Sequence, residues 1–403
     1  MTDRVEVAVI GAGQAGLSTS WYLTQAGVEH VVLEAGRIAE TWRSRRWDSF
    51  CLVTPNWSVQ LPGATYDGPD PDGFMHRDEL VLRMQKWAAD FGAPVRGDCS
   101  VTSLAAADGH FELQMPNGKL RARRVVVATG GYQRPHLPPG CEGLPQDVAQ
   151  VLAEDYGNPG NVAPGAVLIV GSGQTGCQLA EELHNAGRRV VLACGSAPWA
   201  PRRFGGHDLV WWLVESGFTE RTVADLPSPS ARLLSNPLAS GHDGGHDLHY
   251  RTLHDAGVEL VGRFTGAGDG KVHFSDVNDI VAGGDFLAGT LKKWFDALCD
   301  KRGLPRPWEL PRRFEIAAPR ELDLEREGIS TVIWTTGYRP DYDWVRFPVF
   351  DDMGYPVQTE GRSAVEGLYF MGVHFQQRSR SATLYGVKDD AEVLARHIVE
   401  DRK

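Results

Sequence analysis

Two stretches of this chain repeat one pattern: "VAVIGAGQAGLSTSWYLTQAGVEHVVLEAG" from Val7 and "VLIVGSGQTGCQLAEELHNAGRRVVLACG" from Val167. Each reads as a buried strand, a glycine-rich turn, a helix stopped by glycine and a second strand. That order is the context in which G-x-G-x-x-G marks a dinucleotide-binding unit. In the first copy Gly11 permits the tight turn, Gly13 lets backbone approach a pyrophosphate, and Gly16 lets the helix pack on the strand. Gln14 and Ala15 open that helix, whose free N–H groups and partial positive charge suit phosphate. Glu34 ends the second strand, where a carboxylate accepts from the ribose hydroxyls of an adenosine. The second copy supplies Gly171, Ser172, Gly173, Gln174, Thr175 and Gly176, but Ala193 stands where Glu34 stood. Without that carboxylate a 2′-phosphate is tolerated, and Arg202 and Arg203 of "APWAPRR" are the candidates to pair with it. The competing reading leaves both arginines as solvated surface charges. The expectation is therefore FAD on the first copy and NADPH, as hydride donor, on the second.

The chain has 403 residues, too many for one hydrophobic core. A net charge of −11 repels nucleic-acid backbones. No run of 18 apolar residues and no charged-then-apolar leader is present, so a cytoplasmic protein without a membrane span is expected. The six cysteines include no C-x-x-C, which counts against a redox dithiol and the disulfide-reductase branch. No G-x-S-x-G elbow supports serine hydrolysis. His242, His246 and His249 in "SGHDGGHDLHY" lack a recognisable ligand frame, so no metal is expected.

"RRVVVATGG" reads as a strand ending in Ala128, Thr129 and Gly130, and "STVIWTTGYRPD" repeats the device at Thr335, Thr336 and Gly337. Each would return the chain to its nucleotide domain. After "GLYFMG", Gly372 and a polar loop precede a helix from about Leu384, its N-terminus aimed at the flavin ring. The expected architecture is α/β: two Rossmann-like dinucleotide-binding domains of the three-layer ββα type, the NADPH domain inserted in the FAD domain. The FAD domain takes 1–160 and 330–403, and the NADPH domain takes 161–329, with a substrate-bordering extension at about 205–310. "FMHRDELVLRMQKWAADFG" reads as an amphipathic helix with Asp78 near its start and Gly92 as its stop. Trp42, Trp47 and Trp57 would wall the flavin pocket or pack in the core. Arg378 and Arg380 would meet an anionic substrate, the flavin or solvent.

The pairing of GAGQAG with GSGQTG, separated by ATG and closed by TTGYRPD, resembles the class B flavin-dependent monooxygenases. These include the flavin-containing monooxygenases, the Baeyer–Villiger enzymes and the plant YUCCA proteins. "ETWRSRRWDSFCLVTPNWSVQLPG" is similar to a YUCCA-like segment through Trp42, Arg46, Trp47, Asp48, Pro55, Leu61 and Pro62. The family fingerprint F-x-G-x-x-x-H-x-x-x-[Y/F/W] keeps only Tyr156 here, with Gln146, Val148 and Leu152 at its other positions. The resemblance implies that NADPH reduces FAD, that reduced flavin captures O2 as a C4a-hydroperoxide, and that one oxygen passes to a small-molecule substrate. The implied outcomes are N- or S-oxygenation or carbonyl oxidation. It also brings "LVTPN" to the flavin, making Asn56 or Thr54 the candidate hydrogen-bond donor, with Trp42 at the pocket. Partners are then a small molecule and O2, and a homodimer stays open. Alternatives are a non-oxygenating FAD/NADPH oxidoreductase, an NADPH oxidase, or a flavin-binding redox sensor without turnover.

Overall fold

The computed structural model describes residues 3–234, 236–306 and 308–402. Both repeated stretches form the elements expected of them. Asp3–Ile10 and His30–Leu33 are parallel strands flanking the helix Gln14–Gln25, and Ala166–Val170 and Val190–Ala193 flank the helix Gln174–Asn185. Their strands are near-continuous apolar runs because both faces are covered, as parallel sheets require.

Four strands of the first sheet end level. Ile10 pairs with Leu33 on one side and Val127 on the other, and Val127 pairs with Phe370. Whatever follows those residues therefore lies along one edge: Gly11, Glu34, Ala128 to Gly130, and Met371 to Gly372. Ligands of open α/β sheets bind at this carboxyl edge. The second sheet repeats the arrangement, with Val170 level with Ala193 and Trp334, Trp334 with Leu152, and Ala193 with Val261.

Alternate residues divide the two faces of each sheet. Val7 and Val9 face the core shared with Gln14–Gln25 and the C-terminal helix Val387–Glu400, while Ala8 and Ile10 face a second core. That second core lies under the antiparallel strands Ser103–Ala107, His110–Met115 and Gly118–Val127. In the second lobe Val167 and Ile169 face the helices, and Leu168 and Val170 face the meander Phe264–Gly268, Lys271–Phe274 and Glu321–Asp323. Both lobes are thus three layers deep, and the duplication reaches beyond the two glycine loops to the meanders.

Sheet membership shifts the limits expected from sequence. Ala149–Leu152 and Ile329–Trp334 belong to the second sheet, whereas the sequence reading assigned both 149–160 and the chain from 330 onward to the first domain. Part of the expected extension is likewise lobe, since Glu259–Val261 is the sheet's edge strand and Phe264–Phe274 starts its meander. The 26-residue helix Val277–Arg302 is inserted between meander strands. Sequence missed this because Glu259–Val261 is three residues long and has no turn signal matching the first lobe. The helix expected from Phe74 runs Arg77–Asp90, with the His76 ring accepting from Asp78 N at its start. The final helix begins at Val387 rather than Leu384.

A methyl group at Gly16 would lie 1.9 Å from the Gly11 carbonyl oxygen, a backbone atom that cannot yield. Gly16→Ala is expected to lower stability by more than about 3 kcal/mol in a thermal melt. Gly13→Ala, with nothing within 4 Å of the added carbon, is expected to melt like the parent chain.

Candidate active site

Gly11 has φ +108°, and a Cβ there would meet the Ala128 carbonyl oxygen at 2.5 Å. Its partner in the second lobe, Gly171, has φ +109° and would meet the Thr335 carbonyl oxygen at 2.6 Å. The ATG and TTG segments therefore form the floors of the two glycine turns. Thr335 adds hydroxyl bonds to the Val170 and Gly171 carbonyls, at 2.9 and 2.8 Å. Beyond the floors the chain crosses between lobes twice. Arg134–Pro135 and Tyr338–Arg339 pair antiparallel there, and a bond from His136 N to Gly337 O (2.9 Å) reinforces the ribbon.

In the first cradle the helix begins at Gly13 with no side-chain cap. Its free N–H groups and the open space above Gly13 fit a pyrophosphate. Glu34 accepts from Ala12 N at 2.6 Å and Gly36 N at 3.0 Å, which fixes the carboxylate beside the loop. Gln14 accepts from Trp42 Nε1 (3.0 Å) and donates to the Ala382 carbonyl (3.2 Å), joining three separate segments at the mouth. Gly372, at φ +74°, lets the strand Leu368–Phe370 run against Ala15, whose Cβ would be 2.6 Å from any added methyl. Thr129 and Gly130 flank the same edge, and Gln133 Nε2 donates to Thr129 Oγ1 at 2.8 Å and to the Gly130 carbonyl at 2.9 Å.

The second cradle begins at Gly173, again without a side-chain cap. Ser172 Oγ and the backbone of Gly195 exchange hydrogen bonds of 2.8 and 2.9 Å. Gln174 clasps both backbone groups of Ala239. Thr175 follows in the first turn and Gly176 packs on Gly171. Ala193 is buried, and no acid faces the cradle from that position.

Three of the nominated side chains have other work. Arg202 is 2% exposed. It forms a forked pair with Asp208 at 2.8 and 3.1 Å, donates to the Val53 carbonyl at 2.7 Å and lies 4.2 Å over the Phe74 ring. This geometry speaks against the expected contact with a 2′-phosphate, because each guanidinium nitrogen already has a partner and the group is out of solvent. Arg203 donates to the carbonyls of Gly245 and Gly244 at 3.1 and 2.9 Å from an exposed position. Asn56 is buried and staples its loop to the next, donating to Asp70 O at 2.9 Å and accepting from Met75 N at 2.8 Å. Thr54 is half-exposed in the same loop, and its hydroxyl has no hydrogen-bond partner among the described residues.

The remaining candidates scatter. Trp47 is in the core against Phe50, and Trp57 packs edge-on against Tyr385. Tyr156 is buried beside Glu182 at the lobe interface. Leu152, at the fingerprint's histidine position, pairs with Trp334 in the second sheet. His246 pairs with Glu181 at 2.6 Å, and His249 caps a helix while packing 4.4 Å from Trp199. Among the described residues no group of three His, Cys, Asp or Glu side chains could hold a metal, and no helix is long and apolar enough to cross a membrane.

Sequence reasoning missed how the inserted lobe grips the loop after Gly372. Arg380 pairs with Glu220 at 2.6 Å and with Asp389, Arg378 reaches Glu220 at 3.3 Å, and Ser379 N donates to Arg221 O at 2.8 Å. Behind this strap His374 is pushed down to about 4 by burial and by the nearby Arg232 charge, so it is neutral at pH 7. Asp390 is pushed up to about 6 by burial, with the Ser381 hydroxyl opposing.

A family model described as pyridine nucleotide-disulphide oxidoreductase matches residues 8–213, just over half the chain. The chain belongs to that family. An oxidoreductase of Geobacillus kaustophilus, named CzcO-like, is 30% identical over 402 residues, 99% of each chain. The indole-3-pyruvate monooxygenase YUCCA4 of rice is 30% identical over 427 positions, covering 99% of this chain and 88% of that protein. The resemblance to flavin-dependent monooxygenases thus extends along the whole oxidoreductase chain. A flavin-containing monooxygenase from Stenotrophomonas maltophilia shares the fold, with TM-score 0.69 over 100% of both chains at 19% identity. In this chain that fold consists of two Rossmann-type domains, one inserted in the other.

Two outcomes follow. Arg202→Met should lower the melting temperature yet leave the ratio of KM for NADPH to KM for NADH unchanged, since the side chain acts between lobes. For Asp390 the folded pKa exceeds the unfolded one, so its contribution to stability is lost as pH rises from about 4 through about 6. Asp390→Asn should therefore gain up to about 3 kcal/mol over the parent in urea melts at pH 7.5, and little at pH 4.

Proposed function

We propose that this oxidoreductase is an FAD-containing, NADPH-dependent monooxygenase that inserts one oxygen atom of O2 into a small organic molecule. The observation that supports this most is the paired cradle: two level sheet edges, each with a glycine turn seated on its own Ala-Thr-Gly or Thr-Thr-Gly floor, joined by one short ribbon. Two dinucleotides held this way would approach one another between the lobes. The residues present fit both groups. The first cradle combines an uncapped helix, open space at Gly13 and the Glu34 carboxylate for an adenosine ribose. The second combines an uncapped helix with an acid-free strand end at Ala193, which suits the extra phosphate of NADPH.

Bound FAD would accept a hydride from NADPH and activate O2 for transfer. The chain's own part is placement, dryness and hydrogen bonding. Gln14 and Trp42 would close one side of the flavin cavity. The loop after Gly372, tied to the inserted lobe through Arg380, Glu220 and Ser379, would close the other and exclude water. Thr54 is the free hydroxyl in the "LVTPN" loop, and we assign it as donor to the reacting oxygen. Arg202 would set the height of that loop by holding the Val53 carbonyl.

A second reading, NADPH oxidation without oxygen transfer, is favoured by one feature. Leu152 occupies the place of the fingerprint imidazole, so no ring nitrogen there can couple NADPH binding to the flavin's chemistry. Stopped-flow absorbance separates the two. Protein reduced by NADPH and mixed with O2 should pass through a long-lived species absorbing between the reduced and oxidised bands, and Thr54→Val should shorten its lifetime about tenfold or more. Direct return to the oxidised spectrum would leave the oxidase reading, and failure of NADPH to bleach the yellow protein would end both.

A further inference from the structure

The interlobe ribbon holds charges that neither cradle uses. Its register places Arg339 directly opposite Arg134. Like charges so placed repel one another. Among the described residues neither guanidinium has a carboxylate partner, and Arg339 reaches only the neighbouring Tyr338 carbonyl, at 3.0 Å. Arg346 is exposed and equally unpaired. All three line one cavity of about 580 Å³, large enough for a small molecule. Asp343 and Asp352 share its wall and leave it with a net positive charge. His136, next to the ribbon, is held below the ordinary imidazole range by burial and by the unneutralised Arg339. Arg232 lies nearby over Tyr355, but it is occupied by Asp351 and the His374 carbonyl.

Further lining residues are aromatic. Tyr342 and Phe350 are stacked, with centroids 5.2 Å apart and planes 13° apart. Both stand edge-on to Phe370, at 5.8 and 5.7 Å. A planar ring can lie against such a slab, while forked guanidinium groups match a carboxylate or phosphate bidentately. We propose that this cavity binds a small aromatic oxyanion, a carboxylate or phosphate on a planar ring, at a site separate from both glycine cradles. The occupant would touch the ribbon at Arg134 and Arg339, four residues beyond Gly130 of the first floor.

Isothermal titration calorimetry on the flavin-loaded full chain tests this with phenylacetate, phenyl phosphate and inorganic phosphate. Saturable binding of a ring-bearing probe is expected, about tenfold or more tighter than inorganic phosphate, and the tighter of the two ring-bearing probes identifies the anion. The Arg134→Gln/Arg339→Gln double variant should weaken it at least about tenfold, and Asp343→Asn should tighten it severalfold. Absence of saturable binding, equal binding of inorganic phosphate, or binding unmoved in both variants would overturn the proposal. The yellow colour and its bleaching by NADPH, read on the same samples, report the proposed oxidoreductase reading independently.

Discussion

Everything functional in this molecule depends on one close approach made twice: a glycine backbone pressed onto the carbonyl that ends a neighbouring parallel strand. At Gly11 and Gly171 that contact leaves no room for a side chain and demands a positive φ. It brings a strand end, a helix N-terminus and the neighbouring Ala-Thr-Gly or Thr-Thr-Gly segment to one point. Because the flanking strands end level, the acid at Glu34 and the turn at Gly372 reach the same edge without further machinery. The three-layer build of each lobe then follows from the need to cover both faces of apolar parallel strands.

The second constraint is the fastening of one lobe to the other. Arg202 illustrates the cost of a buried charge and how it is offset. Its forked pair with Asp208, its bond to Val53 O and the Phe74 ring satisfy a guanidinium with almost no contact with water. Removing one partner of such a set leaves an uncompensated charge, which makes the arrangement specific as well as stabilising. The strap of Arg378 and Arg380 to Glu220 is more exposed. Its energetic worth is smaller, but it positions the loop over the first cradle.

Much of this was legible in the residues. The glycine spacings, Glu34, Ala193 and the two Ala-Thr-Gly or Thr-Thr-Gly segments identified both cradles and the inserted topology, because those positions answer to local backbone geometry. The limits of the lobes were less legible. Ala149–Leu152 and Glu259–Val261 are short strands whose apolar residues match no period long enough to read. Arg202 and Asn56 were misjudged for one shared reason: a polar side chain near a motif looks free until the segment that covers it is known. Val53 is 149 residues from Arg202, and Asn56 reaches Asp70 and Met75 across a segment without a regular period, so only folding shows these side chains to be engaged.

By itself the sequence determined the two strand–turn–helix units, the acid at the strand end of the first and its absence from the second. Those depend on spacing within about 25 residues, over which a strand, a turn and a helix impose their own periods. Tertiary structure decided which charged groups are spent on holding the lobes and which remain free to meet a ligand. That division rests on long-range contacts whose partners are set by packing, and no local pattern encodes them.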